Sequence, residues 1–179
     1  MSEPTVVFCN AGPLMALGKL NRLDLLAEVY PQTRIPAAVF DETVIQGIAR
    51  GQSDAITIRR FLRQCQWPIV EIPTGAAAEY RPPLILGKGE TAVLILGQIT
   101  PGALLLLDDR PARREARRLQ LRARGTLGVL TEAYLRSKLT RLQLELLLDE
   151  IAHRPDIWIG RTLCEQVLAQ LPGLSERKA

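Results

Sequence analysis

Polar side chains that could bind a cation follow two of the short apolar runs in this sequence. Asp108 and Asp109 come directly after the run 103–107, and Asn10 follows the run 5–9. In open parallel sheets, ligands bind at the carboxyl ends of the strands. Two adjacent carboxylates at the end of a buried strand are costly unless a cation or hydrogen-bond donors meet them. The sequence therefore predicts a carboxylate site for a hard cation at the carboxyl ends of these two predicted strands.

Each candidate acid also has an ordinary structural explanation. Either Asp108 or Asp109 can cap the helix that comes next, and this leaves the other Asp unexplained. Glu42 lies near the edge of an apolar helix stripe, where acids are commonly solvated. Glu90 begins a helix after Gly-Lys-Gly, where the helix dipole favours a carboxylate. Spacing alone leaves both interpretations open.

Other catalytic chemistries lack their residues. Cys9, Cys65 and Cys164 stand far apart without CxxC spacing, which argues against a disulfide framework or zinc knuckle and favours a reducing cytoplasm. The single histidine, His153, lies at a helix end with no neighbouring Cys, so zinc and Cys–His chemistry have no support. The sequence contains neither a Walker motif nor a nucleophile elbow.

Short apolar runs alternate with amphipathic segments, which predicts a parallel sheet covered by helices. Strands are predicted over 5–9, 33–35, 69–72, 103–107 and 121–124. Helices are predicted over 14–20, 23–29, 37–49, 53–65 with Ser53 as the N-cap, 90–99, 111–119, 127–139, 142–152 and 161–171. The Pro/Gly-rich stretch 73–89 is predicted to be a mobile loop.

The length and the terminal segments predict one cytoplasmic domain. A chain of 179 residues suits a single domain, here with a core over about 5–139 and C-terminal helices over 140–171. The N-terminus carries an acid and a proline where a secretory signal would carry basic and apolar residues. The longest apolar runs are far below the ~20 residues of a membrane span, so no membrane partner is expected.

The positive charge is concentrated in one segment. The chain has 23 Lys plus Arg against 19 Asp plus Glu, and seven of the arginines lie within 110–124 beside a single acid. On a helix, four of them fall opposite the apolar positions, namely Arg113, Arg114, Arg117 and Arg118. Such a face contacts phosphate without reading sequence, and the alternative is an ordinary solvated surface. Aromatic content is only 4%, so base stacking is not expected to dominate.

Five segments occur in the order seen in PIN-domain proteins. They are VVFCNAGPLMALGKLNRLDLL, IPAAVFDETV, LGKGETAVLIL, ALLLLDDRPARREARRLQL and RGTLGVL. The chain therefore resembles the PIN-domain family from about Val6 to Leu139, and more narrowly a group of small prokaryotic PIN-like proteins described as predicted nucleic-acid-binding proteins. The resemblance implies a three-layer α/β/α domain with a parallel five-stranded sheet.

The resemblance also implies an activity, which is metal-dependent hydrolysis of RNA phosphodiesters by an activated water. Many relatives are the toxin of a toxin–antitoxin pair, so the implied partners are RNA, an antitoxin protein and a second copy of the chain. The implied catalytic acids are Asp109, Glu90 and Glu42. The implied ligands of Mg²⁺ or Mn²⁺ are Asn10, Glu42, Glu90, Asp108 and Asp109, with Thr126 at the border. Independently of the resemblance, the arginine-rich segment supplies the candidate RNA contacts, namely Arg110, Arg113, Arg114, Arg117 and Arg118.

One position departs from the family pattern. Asn10 stands where the family has an Asp. This replacement removes a negative charge and should weaken the binding of a divalent metal ion. A second hypothesis is therefore a weakened or inactive relative that binds RNA or a partner protein. A third is a receiver-like signalling domain that uses the Asp108/Asp109 pair to bind Mg²⁺ and accept phosphate. It requires an acceptor Asp after the middle strand and a Lys after the last strand, and the sequence has neither.

Overall fold

The structure is a computed structural model that describes residues 5–76, 80 and 86–171. It divides into two compact units, Met1–Thr126 and Leu127–Ala179. The single-domain organisation inferred from chain length stays a prediction. Most of the predicted loop 73–89 beyond residue 76 lies outside the described residues, so its mobility stays a prediction as well.

One five-stranded parallel sheet forms the centre of the first unit as far as the structure describes it. In chain order the strands are β1 (Val7–Cys9), β2 (Thr33–Pro36), β3 (Ile69–Val70), β4 (Leu104–Leu106) and β5 (Arg122–Arg124). Their order across the sheet is β3-β2-β1-β4-β5. All five predicted strands are confirmed, with ends that differ by one or two residues. All residues of β1 and β4 are buried, as a continuous apolar run requires of a central strand.

The strand order reverses direction beside β1. The chain runs outward from β1 through β2 to β3, then crosses back to place β4 against the other side of β1. Because parallel crossovers are right-handed, this reversal puts helices on both faces and gives the predicted three-layer α/β/α fold. The backbone N–H of Asn10 donates to Leu106 O at 3.0 Å, so the carboxyl ends of β1 and β4 lie side by side. Ligand sites in such sheets occur at this reversal.

Six helical elements belong wholly to the first unit within the residues that the structure describes. They are α1 (Ala11–Lys19), α2 (Leu23–Val29), α3 (Ala37–Phe40, Asp41–Gln46 and Gly47–Ala49 in succession), α4 (Ser53–Cys65), α5 (Lys88–Gln98) and α6 (Arg110–Arg118). Every helix predicted for this part of the chain is present. The predicted cap at Ser53 is wrong, because Gln52 occupies the N-cap position and Ser53 is already helical.

The middle of α3 is a π-helix. Asp41–Gln46 adopts i→i+5 spacing, and the Gln46 side-chain amide donates to Asp41 Oδ2 at 2.6 Å across five residues. The Thr43 hydroxyl donates to Val39 O at 2.8 Å, which gives that carbonyl a partner. Single π turns inside α-helices are rare and are often found at functional sites. The hydrophobic pattern predicted the bounds of this helix but not its local winding.

Three helices lie toward the C-terminus of the described chain, namely α7 (Thr126–Leu135), α8 (Arg141–His153) and α9 (Arg161–Gln170). Helix α7 ends four residues before its predicted end, because Ser137 turns through the left-handed region at φ 57°. A capping box between Thr140 and Gln143 begins α8. None of the helices in the described part of the chain is both long and apolar enough to cross a membrane.

The leucines of α8, which the sequence allowed either to form an interface or to belong to the core, are divided between burial and solvent. Leu144, Leu147 and Leu148 are buried, whereas Leu142 and Leu146 are exposed. Only the two exposed leucines are therefore available to a partner.

A buried carboxylate that the sequence pattern did not indicate lies on α6. Glu115 is only 2% exposed. It accepts hydrogen bonds from Arg118 at 2.7 and 2.9 Å and from the Tyr80 hydroxyl at 2.9 Å. The Arg118 hydrogen bonds hold the pKa of Glu115 below its ordinary value. Arg118 therefore pairs within the fold, and this corrects its predicted place on a free cationic face.

Replacing this carboxylate should destabilise the fold. We expect Glu115→Gln to lower the free energy of unfolding by about 1–3 kcal/mol, since Arg118 loses its counter-charge next to a buried amide. Glu165→Gln is the matched control, because the Arg161–Glu165 pair is exposed on both sides and should contribute well under ~1 kcal/mol. Urea denaturation at pH 7 measures both variants.

The pH dependence gives an independent check on the same carboxylate. Because the folded-state pKa of Glu115 is depressed, its stabilisation is present above the unfolded pKa and is lost as the pH falls through the folded pKa. The difference in free energy of unfolding between wild type and Glu115→Gln should therefore become smaller in acid. A difference of the same size at pH 7 and pH 3 would contradict this role.

Candidate active site at the sheet edge

Asn10 is placed as a helix cap but does not act as one. It occupies the N-cap position of α1, yet its side chain makes no capping hydrogen bond. Pro13, the third residue of the helix, has no N–H to offer it. The side-chain Nδ2 instead donates to Glu90 Oε1 at 2.8 Å, between residues 80 positions apart in the chain. This bond joins the end of β1 to the first turn of α5.

The other end of the Asn10 amide is unsatisfied. Asn10 is 2% exposed, and its Oδ1 is buried with no hydrogen-bond partner among the described residues. A Cβ on Gly89 would lie 2.8 Å from this oxygen and 3.3 Å from Glu42 Oε2, so both oxygens flank the space that glycine leaves open. An unpaired buried carbonyl costs about 1–3 kcal/mol, which a bound cation or water would offset.

Glu42 and Glu90 repel each other across this space. Glu42 is an exposed residue, but partial desolvation of its carboxylate raises its pKa, and the negative charge of Glu90 raises it further. Asp41 adds to the same effect, whereas Arg50 opposes it. Two carboxylates held in this way favour a proton or a cation between them.

The oxygen atoms at this position suit Mg²⁺ or Mn²⁺. Within the described residues no three Asp, Glu, His or Cys side chains converge as a metal-binding group. The third oxygen here is the unpaired amide oxygen of Asn10, beside Glu42 and Glu90. Because Mg²⁺ keeps several waters, two carboxylates and one carbonyl are a sufficient donor set. The residues present therefore fit a divalent ion.

Asp108 is fixed by the start of α7. Its Oδ1 accepts from the Thr126 backbone N–H at 2.7 Å, and its Oδ2 accepts from the Thr126 hydroxyl at 2.6 Å. Burial raises the pKa of Asp108, while the two Thr126 hydrogen bonds and the charge of Arg113 oppose that rise. A Cβ on Gly12 would lie 3.2 Å from Asp108 Cβ, so the carboxylate packs against the segment that begins after Asn10.

The neighbouring Asp109 is the helix cap. It is exposed, and its Oδ1 accepts from the backbone N–H of Ala112 at 2.9 Å. This confirms the capping alternative for one of the two adjacent acids and identifies which one it is. The structure brings Asn10, Glu42 and Glu90 together and places Asp108 at the adjoining strand end. Asp109 makes none of these contacts, and its catalytic role stays a prediction.

The arginines of α6 separate into three kinds. Arg110, Arg114 and Arg117 are exposed and form no ion pair with any described residue, whereas Arg118 pairs with Glu115. Arg113 is half-buried and faces Asp108 rather than solvent, and this corrects its predicted place on the exposed face. We call Arg110, Arg114 and Arg117 the exposed arginine face.

A cavity of about 470 Å³ lies away from these acids, between α3, α4 and β3. Its lining is mostly apolar, with Phe40, Leu62 and Trp67 among its walls and Arg59 and Arg63 as its charged groups. It contains no carboxylate among the described residues. The candidate site and this cavity therefore do not coincide.

Sequence reasoning missed the positioning parts of the site. Gly89 belongs to no phosphate-binding loop. A glycine directly before a candidate acid nevertheless indicates that other side chains approach the backbone closely at this point, as Asn10 and Glu42 do here. Gly125 carries the same signal beside Thr126, since a Cβ there would lie 2.7 Å from Asp108 Oδ1. No local pattern in the sequence indicated that the Arg113 side chain points towards Asp108. Its position depends on Gly125, which follows β5 and leaves space for both side chains.

Comparison with known proteins gives one finding. A family model described as a PIN domain matches residues 6–172. Searches of curated proteins and of solved structures found no match. The matched range includes every residue of the candidate site, from Asn10 to Thr126.

Restoring a carboxylate at position 10 should make the fold depend on a cation. In Asn10→Asp the donor to Glu90 is lost and a third negative charge enters, so we expect the variant without metal to lose about 1–3 kcal/mol of stability. Added Mn²⁺ should raise its melting temperature more than that of wild type. Asn21→Asp adds the same charge at an exposed turn and should show neither effect. Equal Mn²⁺ responses in all three proteins would contradict the placement of Asn10.

A methyl group on Gly89 should close the space between the oxygens. Gly89→Ala would bring Cβ to 2.8 Å from Asn10 Oδ1, so we expect Mn²⁺ affinity to fall about tenfold or more. Gly160→Ala is the control, because no atom lies within 4 Å of a Cβ there. Calorimetric titration with MnCl₂ compares the two variants. Unchanged affinity in Gly89→Ala would place the ion elsewhere.

Proposed function

The chain belongs to the PIN-domain family, and on that premise we propose that it is a Mg²⁺- or Mn²⁺-dependent ribonuclease that hydrolyses RNA phosphodiester bonds. PIN domains are generally nucleases. The observation that carries the proposal is the buried, unpaired Asn10 Oδ1, which faces Glu42 Oε2 across Gly89. A fold without a ligand at this point would leave that oxygen unsatisfied.

Glu42, Glu90 and Asn10 would hold the ion. When bound, Mg²⁺ or Mn²⁺ supplies an acidified water and neutralises charge on the phosphoryl group. The Asn10 amide holds Glu90 in place through its hydrogen bond, so one carboxylate is oriented before the ion arrives. Because Asn10 carries no charge, we expect weaker metal affinity here than in relatives with Asp at this position.

The exposed arginine face would hold the RNA backbone. The helix that carries these arginines begins directly after Asp109, at the carboxyl end of β4. Unpaired arginines of this kind bind phosphates with little dependence on sequence and lose affinity as salt rises. This supports RNA as the substrate class and favours the backbone, rather than the bases, as the recognised group.

The narrower resemblance supports a cellular role as the toxin of a toxin–antitoxin pair. In that role an acidic antitoxin segment could occupy the exposed arginine face and block access of RNA to the acids. We also propose that the chain forms a homodimer, for which the exposed Leu142 and Leu146 are available contacts.

A second candidate function is RNA binding without turnover. The observation that favours it is the Asn10–Glu90 hydrogen bond, which partly satisfies the acidic site without any ion. In this alternative the amide replaces the cation that the family's Asp would require. The two functions differ in whether RNA is cut, and one experiment separates them.

The experiment measures cleavage of single-stranded and structured RNA in Mn²⁺ and in EDTA. We expect wild type to cut RNA only with Mn²⁺. Glu90→Gln should lose about 100-fold or more of the rate while still binding RNA, because one of the two charged ligands is removed. Glu165→Gln, on the exposed surface, should match wild type.

The outcomes are distinct. Cutting by wild type that persists in Glu90→Gln would reject this site. Cutting only by Asn10→Asp would support binding without turnover in the natural chain. Asp109→Ala tests the remaining acid, since loss of a cap alone should lower stability by about 1 kcal/mol and leave most of the rate.

A further inference from the structure

We propose that Arg113 takes the place of a second metal ion, so that the site holds a single divalent ion and Arg113 supplies the other cationic contact to the RNA phosphate. This inference rests on the proposed function and adds the number of ions and the role of Arg113 as the second cation. It depends on how the charges at the two neighbouring strand ends are compensated.

The Asp108 end of the site is already compensated. Both carboxylate oxygens accept hydrogen bonds from Thr126, and the guanidinium of Arg113 lies on the same side of Gly125 as this carboxylate. A Cβ on Gly125 would lie 2.7 Å from Asp108 Oδ1 and 3.3 Å from Arg113 Nη1. The positive charge of Arg113 and the negative charge of Asp108 therefore occupy one small space that only glycine leaves open.

Arg113 lies near Asp108, but its guanidinium forms no hydrogen bond or ion pair with that carboxylate. Its side chain is half-buried, and its guanidinium forms no hydrogen bond or ion pair with the residues that the structure describes, in contrast to the guanidinium of Arg118 on the same helix. Its guanidinium donors are therefore free for a ligand. A guanidinium matches the geometry of two phosphate oxygens, which a point charge does not.

The other end of the site lacks a cation. Glu42 and Glu90 repel each other there, and Asn10 Oδ1 is buried and unpartnered beside them among the described residues. One ion would satisfy all three groups. The two ends lie at the carboxyl ends of the adjacent strands β1 and β4, so an ion at one end and a guanidinium at the other form a pair of cations along the same edge. In two-metal nucleases a pair of ions clamps the phosphodiester in this way.

The test counts bound Mn²⁺ by equilibrium dialysis, with free Mn²⁺ up to about 1 mM. Wild type should bind one ion. Arg113→Met keeps the length of the side chain and removes its charge, so Asp108 loses its cation and a second Mn²⁺ should bind. Arg113→Lys restores the charge and should bind one ion, as should the exposed control Arg114→Met.

A double variant identifies the position of the second ion. Arg113→Met combined with Asp108→Asn should return the count to one, because the carboxylate that attracts the second ion is gone. Circular dichroism confirms that each protein is folded before the ions are counted.

Two ions in wild type, or one ion in folded Arg113→Met, would overturn this inference and leave the proposed ribonuclease intact. No bound Mn²⁺ in wild type would overturn the metal-dependent function together with the inference. One ion in wild type and two in Arg113→Met would support both.

Discussion

The repulsion between Glu42 and Glu90 is the physical constraint on which the organisation of the site depends. The two acids come from different helices, and partial desolvation already disfavours the charge of Glu42. The fold holds them there with the Asn10 amide, which donates to one acid, and with Gly89, which allows the close approach. The reversal of strand order beside β1 places Asn10 at the carboxyl end of the central strands, where its amide can reach Glu90.

The second acidic pair, Asp108 and Asp109, is stabilised in a different way. Asp108 and Asp109 are adjacent in sequence, but one turns inward to Thr126 and the other caps α6 in solvent. The charge of the inward acid is opposed by Arg113, whereas that of the exposed acid is hydrated. Two identical side chains thus acquire different roles from one change of direction in the backbone.

The sequence predicted the sheet and the helices of the described chain, because apolar runs and helical periodicity are local signals. It also singled out Asn10, Glu42 and Glu90, which the fold brings together, and their role as metal ligands stays a prediction. The leucine run before Asp108 indicated a buried central strand, and β4 is buried throughout. The burial of Glu115, the inward turn of Arg113 and the winding of α3 could not be predicted in this way. The first two depend on partners distant in sequence, as Tyr80 is from Glu115 and Gly125 is from Arg113, and the third leaves the apolar pattern unchanged.

The π-helical turn in α3 makes the site sensitive to chain length as well as to residue type. Each residue added to or removed from a helix rotates the remainder of that helix by roughly 100°. Removing one of residues 43–46 would let the segment relax to a regular α-helix, in which the side chains of this turn, that of Glu42 among them, would project in changed directions. A lineage could therefore lose this carboxylate from the candidate site through a single deletion while every acid remained in its sequence.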